Sequence, residues 1–230
     1  KEKINGLKEF GIDVGDAIVE ISQVDEEDWA NEWKNYYKPT KVGEKVVVKP
    51  TWEEYEAQDG DLIIDLDPGM AFGTGTHPTT VMCLQALEKV VKEGDTVIDV
   101  GTGSGVLSIG AAMLGAKSVH ALDLDEVAVT AARENIAINK VNSIVEVFHG
   151  NLLDTVKEPA DVVVANILAE IIMTFTDDAY SIVKPGGLYV TSGIIGAKKD
   201  DVKEALVKSG FAIEEILMME DWVAIVARRP

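Results

Sequence analysis

From Gly94 onward, short apolar runs alternate with longer segments of helical character, and this alternation constrains the fold more than any other feature. Such alternation is typical of a parallel sheet whose strands are joined by crossover helices. The predicted strands cover residues 96–100, 118–124, 143–148, 160–166 and 188–194. The predicted helices cover 104–115, 126–139, 167–183 and 197–209, and 151–159 is predicted as a loop or short helix. We therefore predict an α/β fold of the Rossmann-like type.

The last two apolar runs, residues 211–220 and 221–229, have no helical segment between them. Two adjacent strands joined by a short turn pair antiparallel, so these runs predict a C-terminal hairpin. Five parallel strands followed by a hairpin differ from the plain dinucleotide-binding pattern, which continues with strands and helices in alternation.

Before Gly94 the pattern is less regular. Strands are predicted at 17–24, 46–50 and 61–67, with the end of a helix at 3–10 and a full helix at 79–91. We predict three parts: residues 1–25 as the remnant of a small N-terminal α+β domain, 26–60 as a linker with connecting elements, and 61–230 as the main domain.

The net charge is −19, from 21 Lys and Arg against 40 Asp and Glu. Binding to a phosphate backbone relies on basic patches, so direct nucleic-acid binding is not expected. The charge either attracts a basic partner or only keeps the protein soluble. Cys83 is the single cysteine, and no Cys/His cluster has metal-ligand spacing, so neither a disulfide nor a metal site is expected. No membrane segment is predicted, and a cytoplasmic location is expected.

A glycine-rich turn follows the first strand of the main domain, in the sequence DVGTGSG. Glycines allow sharp turns and bring backbone N–H groups close to a ligand. The turn contains Gly101, Gly103 and Gly105, whereas Val106 stands where the dinucleotide fingerprint has its third glycine. With the preceding Asp99, this spacing resembles the first motif of Rossmann-like methyltransferases. The alternative is a tight turn with no ligand.

Two polar residues end later strands of the predicted sheet, where ligands of open α/β sheets bind. Asp123 lies 22 residues after Gly101, close to the spacing expected for an acid that holds a ribose. Asp125 is the alternative, although it is better suited to cap the next helix. Asn166 either holds an incoming N–H donor near the reacting group or caps the helix that follows it.

A long loop, DPGMAFGTGTHPTT at residues 67–80, precedes the first strand of the main domain. It contains four turn-forming residues, and structured loops of this length are commonly functional. Thr79 and Thr80 stand where a helix begins, so helix capping is an equally good interpretation of the two threonines.

Four segments, 67–80, 99–116, 121–139 and 164–172, together resemble the ribosomal protein L-11 methyltransferase family. The resemblance runs from about Trp29 to the C-terminus, and the first segment is its most specific part. It implies a seven-stranded Rossmann-like domain, a ferredoxin-like N-terminal domain of which this chain holds a remnant, and S-adenosylmethionine as cofactor. The implied cofactor contacts are Thr80, Gly101, Asp123 and Asn166, with Gly103 in the same glycine turn and Phe72, Gly73 and Thr74 in a loop that closes over the cofactor.

The resemblance also implies the reaction, which is methylation of lysine ε-amines and the N-terminal α-amine of that basic ribosomal protein. A lysine amine has a pKa of about 10.4 and must lose a proton before it attacks. No general base stands out, and Asn166 is the expected holder of the amine. Three alternatives stay open: methylation of nucleic-acid amino groups, a nicotinamide-dependent dehydrogenase, and a cofactor-binding scaffold without activity. The oligomeric state is not predicted.

Overall fold

The structure is a computed structural model of the chain, and it describes residue 11, residues 37–67 and residues 73–230. Residues 1–37 and 38–230 form two compact units. The elements predicted at 3–10 and 17–24, and the loop residue Phe72, lie outside the described residues. The functions assigned to the three predicted parts of the chain stay predictions.

The described elements are bounded as follows. The strands are β1 (Thr40–Lys41), β2 (Val46–Pro50), β3 (Leu62–Leu66), β4 (Thr96–Val100), β5 (Ser118–Asp123), β6 (Val145–His149), β7 (Ala160–Asn166), β8 (Val183–Ile195), β9 (Ala212–Met219) and β10 (Trp222–Arg228). The helices are α1 (Pro78–Val90), α2 (Val106–Met113), α3 (Glu126–Ile138), α4 (Ala169–Thr174), α5 (Thr176–Ile182) and α6 (Lys199–Lys208), with a 3₁₀ turn at Gly196–Lys198. No helix among them is long and apolar enough to cross a membrane.

The main sheet has seven strands in the order β6-β5-β4-β7-β8-β10-β9. Strands β4 to β8 pair in parallel, and β10 pairs antiparallel with both β8 and β9. This confirms the predicted Rossmann-like sheet with a C-terminal hairpin. The strand order reverses between β4 and β7, and such a switch point opens a crevice at the carboxyl ends of the strands.

Two hydrophobic cores lie on opposite faces of this sheet, because alternate residues of a strand point to opposite faces. In β7, Val162 and Val164 belong to the core on one face, whereas Val163 and Ala165 belong to the core on the other. The first core also takes up residues of β2 and β3. These strands form a separate three-stranded sheet in the order β1-β2-β3, an arrangement that the sequence did not indicate.

Helix α2 is shorter than the predicted helix at 104–115, because the glycine turn extends further. Gly103 and Gly105 have φ angles of +56° and +85°, which are incompatible with a right-handed helix, so α2 begins at Val106. The helix ends at Met113, two residues before the predicted bound, and Gly115 closes it as expected. Gly115 has a φ of +109°, and the Ala116 amide donates to the Ala111 carbonyl, which is the hydrogen bond of a Schellman cap.

The predicted single helix at 167–183 is wrong, because two short helices, α4 and α5, meet there at Phe175. Phe175 leaves the helical region with φ of −125° and ψ of 20°, and its ring packs in the core against Tyr189. The predicted start of β8 at residue 188 is also wrong. Gly186 and Gly187 exchange backbone hydrogen bonds with Arg229, and the strand begins at Val183.

Candidate active site

A cavity of about 640 Å³ lies at the carboxyl ends of β4, β5, β7 and β8, beside the first turn of α1. This volume is within the range of small-molecule sites. Four predicted site residues line it, namely Gly101, Gly103, Asp123 and Asn166. The cavity therefore lies at the switch point of the sheet and brings together residues from three separate strand ends.

The buried Asp99 carboxylate stabilises the glycine turn through hydrogen bonds. One oxygen of this carboxylate accepts hydrogen bonds from the hydroxyls of Thr102 and Ser108, both at 2.7 Å, and the other has no hydrogen-bond partner. Burial raises the pKa of Asp99 to about 6, because the fully enclosed site disfavours the charged form. Asp99 thus shapes the turn, whereas the backbone at Gly101 and Gly103 lines the cavity.

Asp123 stands at the end of β5 with one backbone hydrogen bond on each carboxylate oxygen. The Gly103 amide donates to Oδ2 at 2.9 Å, and the Asp125 amide donates to Oδ1 at 3.0 Å. A carboxylate has about four acceptor sites, so Asp123 keeps capacity for two hydroxyl donors from a ligand. Asp125 also lines the cavity, and its side chain caps α3 through the Val127 amide at 2.9 Å, as predicted.

Asn166 ends β7 and presents an unused acceptor. Its side-chain nitrogen donates to the Thr80 hydroxyl at 3.3 Å, whereas its buried Oδ1 has no hydrogen-bond partner. The capping interpretation is wrong, because α4 begins three residues later at Ala169, with Leu168 as its N-cap and no side-chain cap. Buried acceptors are normally satisfied, so an orphan on a residue that lines a cavity fits a bound N–H donor.

Gly73, Thr74 and Thr80, which were predicted as site residues in the long loop, do not line the cavity. Ser104 donates to the Gly73 carbonyl at 2.6 Å and so joins the long loop to the glycine turn. Thr80 is fully buried and touches the site through Asn166, whereas Thr74 is exposed and does not line the cavity. The interpretation of the threonines as helix caps is wrong, because His77 caps α1 by accepting from the amide of Thr79.

Several lining residues were not predicted from the sequence. Trp222 follows the hairpin turn, and its ring lies edge-on to His77 with centroids 5.0 Å apart. Gly193 has a φ of +83°, and a Cβ there would lie 2.2 Å from the Ile167 carbonyl oxygen, so only glycine lets β8 pass so close. A glycine at a strand end was the available signal. The other lining residues that were not predicted as site residues are His77, Thr79, Ala128, Ile167, Leu168 and Ile171.

Three features define the class of protein as the Rossmann-like methyltransferases. They are the seven-stranded sheet with its antiparallel hairpin, the glycine turn after β4 and the acid Asp123 at the end of β5. The chain belongs to the family described as "Ribosomal protein L11 methyltransferase (PrmA)", whose family model matches residues 1–230.

Individual relatives agree with this assignment. The chain is similar to the ribosomal protein L11 methyltransferase of Geobacillus kaustophilus (strain HTA426), with 64% identity over the whole chain and 74% of that protein. It also resembles the crystal structure of a ribosomal protein L11 methylase from Lactobacillus delbrueckii subsp. bulgaricus. That match has a TM-score of 0.79 and 36% identity, and covers 84% of this chain and 99% of the other. The T. thermophilus 16S rRNA methyltransferase RsmC, in complex with AdoMet and guanosine, shares the fold alone, with a TM-score of 0.57, 19% identity, and coverage of 70% of this chain and 45% of the other.

Proposed function

We propose that this methyltransferase transfers methyl groups from S-adenosylmethionine to amino groups of ribosomal protein L11, namely lysine ε-amines and the N-terminal α-amine. The names of the relatives support the protein substrate. The observation that carries the amine chemistry is the buried, unpaired Oδ1 of Asn166, since this acceptor requires a donor such as N–H.

The cavity residues fit the proposed cofactor. The backbone at Gly101 and Gly103 leaves room for a close approach, and Asp123 has free acceptor capacity for the two hydroxyls of a ribose. Thr80 would act through Asn166, and Phe72, Gly73 and Thr74 belong to the loop that we expect to close over the bound cofactor. When bound, S-adenosylmethionine would supply a methyl group on a sulfonium, which is an electrophile.

The residues of the chain then act mainly by positioning. Asn166 Oδ1 would accept a hydrogen bond from the neutral amine and so orient the lone pair of the amine nitrogen. Thr80 fixes the Asn166 amide group by accepting a hydrogen bond from its Nδ2. An amide oxygen does not remove a proton at neutral pH, so Asn166 is a holder of the amine and no general base. Orientation of this kind can contribute roughly 7–11 kcal/mol to lowering a barrier.

The test is methyl transfer from tritiated S-adenosylmethionine by the full-length protein, with ribosomal protein L11 and ribosomal RNA as parallel acceptors. We expect label on L11, and mass spectrometry should place it on lysine side chains and the N-terminal amine. Label on RNA alone would contradict the proposal and favour the nucleic-acid alternative. Calorimetric binding of the cofactor without transfer to any ribosomal protein would instead indicate a scaffold.

A further inference from the structure

Two apolar side chains stand exposed at the mouth of the active-site cavity. Leu168 is 64% exposed and Ile171 is 40% exposed, and both line the cavity. Single exposed apolar residues are ordinary on protein surfaces, but a pair at the rim of a binding cavity is a candidate contact surface. We name Leu168 and Ile171 the lip.

The backbone fixes the lip beside the amine-holding residue. Leu168 is the N-cap of α4, and its carbonyl accepts the Ile171 amide at 3.0 Å, so the two residues are one helical turn apart. Residues three apart on a helix face the same side. Asn166 lies two residues before Leu168 at the end of β7, and it lines the same cavity as both lip residues.

Three segments that carry lining residues are acidic. They are residues 123–127, 168–171 and 220–222, which contain six acids and no lysine or arginine. Glu170 is exposed between the two lip residues, and Glu126 and Asp221 are exposed on the other two segments. An apolar surface surrounded by acids complements a cation on an aliphatic stem, and lysine is such a group, with an ammonium on four methylenes.

We propose that the lip is a docking surface for the protein substrate, on which the methylenes of the target lysine pack while neighbouring basic residues of the substrate face the surrounding acids. This inference rests on the proposed function, because it assumes that the acceptor is an amine of a protein. It adds that the catalytic domain itself selects lysine in a basic segment by contacts outside the reaction centre. A short polar amine would leave the lip uncovered and would bind more weakly.

The experiment compares the double variant Leu168→Ser/Ile171→Ser with Val207→Ser in steady-state methylation of L11. Val207 is a matched control, because it is 53% exposed on α6 and does not line the cavity. We expect KM for L11 to rise about tenfold in the double variant, with kcat and the dissociation constant of S-adenosylmethionine within about twofold. The control should match the wild type, and the pair Leu168→Met/Ile171→Leu should restore the wild-type KM.

Charge is tested separately through salt. We expect KM for L11 to rise with ionic strength in the wild type and to rise less steeply in Glu170→Gln, since exposed charges act through screened attraction.

Each other outcome identifies which idea fails. If the wild type methylates L11 and the double variant keeps the wild-type KM, the lip proposal is wrong and the proposed function stands. If the double variant instead loses affinity for S-adenosylmethionine, the lip belongs to the cofactor site, which also overturns the proposal. If the wild type forms dimers and the double variant does not, the lip is a contact between two copies of the chain, and the docking proposal is wrong. Absence of any transfer to L11 by the wild type refutes the proposed function itself.

Discussion

The two ends of the main sheet both carry charged and polar groups, yet they differ in how these groups are satisfied. At the amino ends of the parallel strands, two grooves of about 480 and 200 Å³ are lined by lysines, arginine and acids. Six of these side chains neutralise one another in three ion pairs, which are Lys89–Glu215, Lys184–Asp161 and Arg228–Glu214. At the carboxyl ends, Asn166 and Asp99 each keep a buried oxygen without a partner.

The difference indicates where a ligand is needed. A buried acceptor without a partner is costly, by about 1–3 kcal/mol, so it persists where a ligand supplies the missing donor or where the enclosure serves another purpose. An orphan alone is not sufficient, because the Tyr189 hydroxyl is also unpaired and lies in the core beside Phe175 and Phe211. The carboxyl end combines an orphan with a cavity, and this combination distinguishes it from both the core and the amino end.

The largest effect is expected from Asn166→Ala, which removes the unpaired oxygen at the carboxyl end of the sheet. Loss of one oriented hydrogen-bonding group from an active site lowers kcat on the order of 10²–10³-fold, and we expect an effect of this size on methyl transfer. Cofactor affinity should change by less than about threefold, because Asp123 and the glycine turn remain. Single-turnover methylation and calorimetry measure the two quantities. Normal transfer by a variant that binds the cofactor would show that the Asn166 oxygen does not hold the amine.

Asp99, which carries the second unpaired oxygen, has a raised pKa, and this predicts that stability depends on pH. The pKa of Asp99 is raised from 3.8 to about 6 in the folded protein. The folded state therefore holds its proton more tightly, and the stability that this provides is full below about pH 4 and is lost as the pH rises through 6. Relative to Asp99→Asn, the wild type should lose up to about 3 kcal/mol over this window.

Urea unfolding of both proteins at pH 4 to 7.5 measures this difference. The exposed Asp178→Asn serves as the control, and its difference from the wild type should not vary between pH 5 and 7.5. A constant difference for Asp99→Asn over the whole range would contradict a raised pKa of Asp99 in the folded protein.

A smaller effect is expected at Asp123. Its carboxylate accepts two backbone hydrogen bonds and, in the proposed role, also the hydrogen bonds of the ribose hydroxyls. In Asp123→Asn one oxygen is replaced by a donor nitrogen, which opposes the Gly103 or Asp125 amide or a ligand hydroxyl. We expect the dissociation constant of S-adenosylmethionine to rise about tenfold, with little change in kcat at saturation. Equal affinity in calorimetry would remove Asp123 from the cofactor site.

The contrast between the two ends also explains what the sequence could predict. The glycine turn, Asp123 and Asn166 were recognisable because strand ends of a parallel sheet meet at one edge, so their positions along the chain predict their proximity. Trp222 was missed because it begins the antiparallel strand β10, and only the order of the whole sheet places β10 beside β8. Gly193 was missed although it lies near the end of the parallel strand β8, where its residue type was the available signal.

Local signals failed in a second way at the helix starts. Thr79, Thr80 and Asn166 are good capping residues by type, but His77 caps α1 and α4 begins at Ala169. Asn166 and Thr80 hydrogen-bond each other instead, and the Thr79 hydroxyl hydrogen-bonds the ring of His77. Residues that break a local preference in this way are often functional, and here the departure coincides with the site.

The smallest effect is expected at the amino end, where Lys184→Met removes the partner of Asp161. Lys184 is about one-third exposed at 38%, and partly exposed ion pairs contribute about 0–1 kcal/mol. Asp161 keeps the hydrogen bond from the Thr96 amide at 2.8 Å, so its carboxylate is not left alone. The free energy of urea unfolding should fall by less than about 1 kcal/mol. Methylation of L11 should stay at the wild-type rate, because the paired charges here satisfy each other and leave nothing for a ligand to complete. A marked loss of methylation in a stable variant would show that the amino end also takes part in function, and the contrast between the two ends would no longer hold.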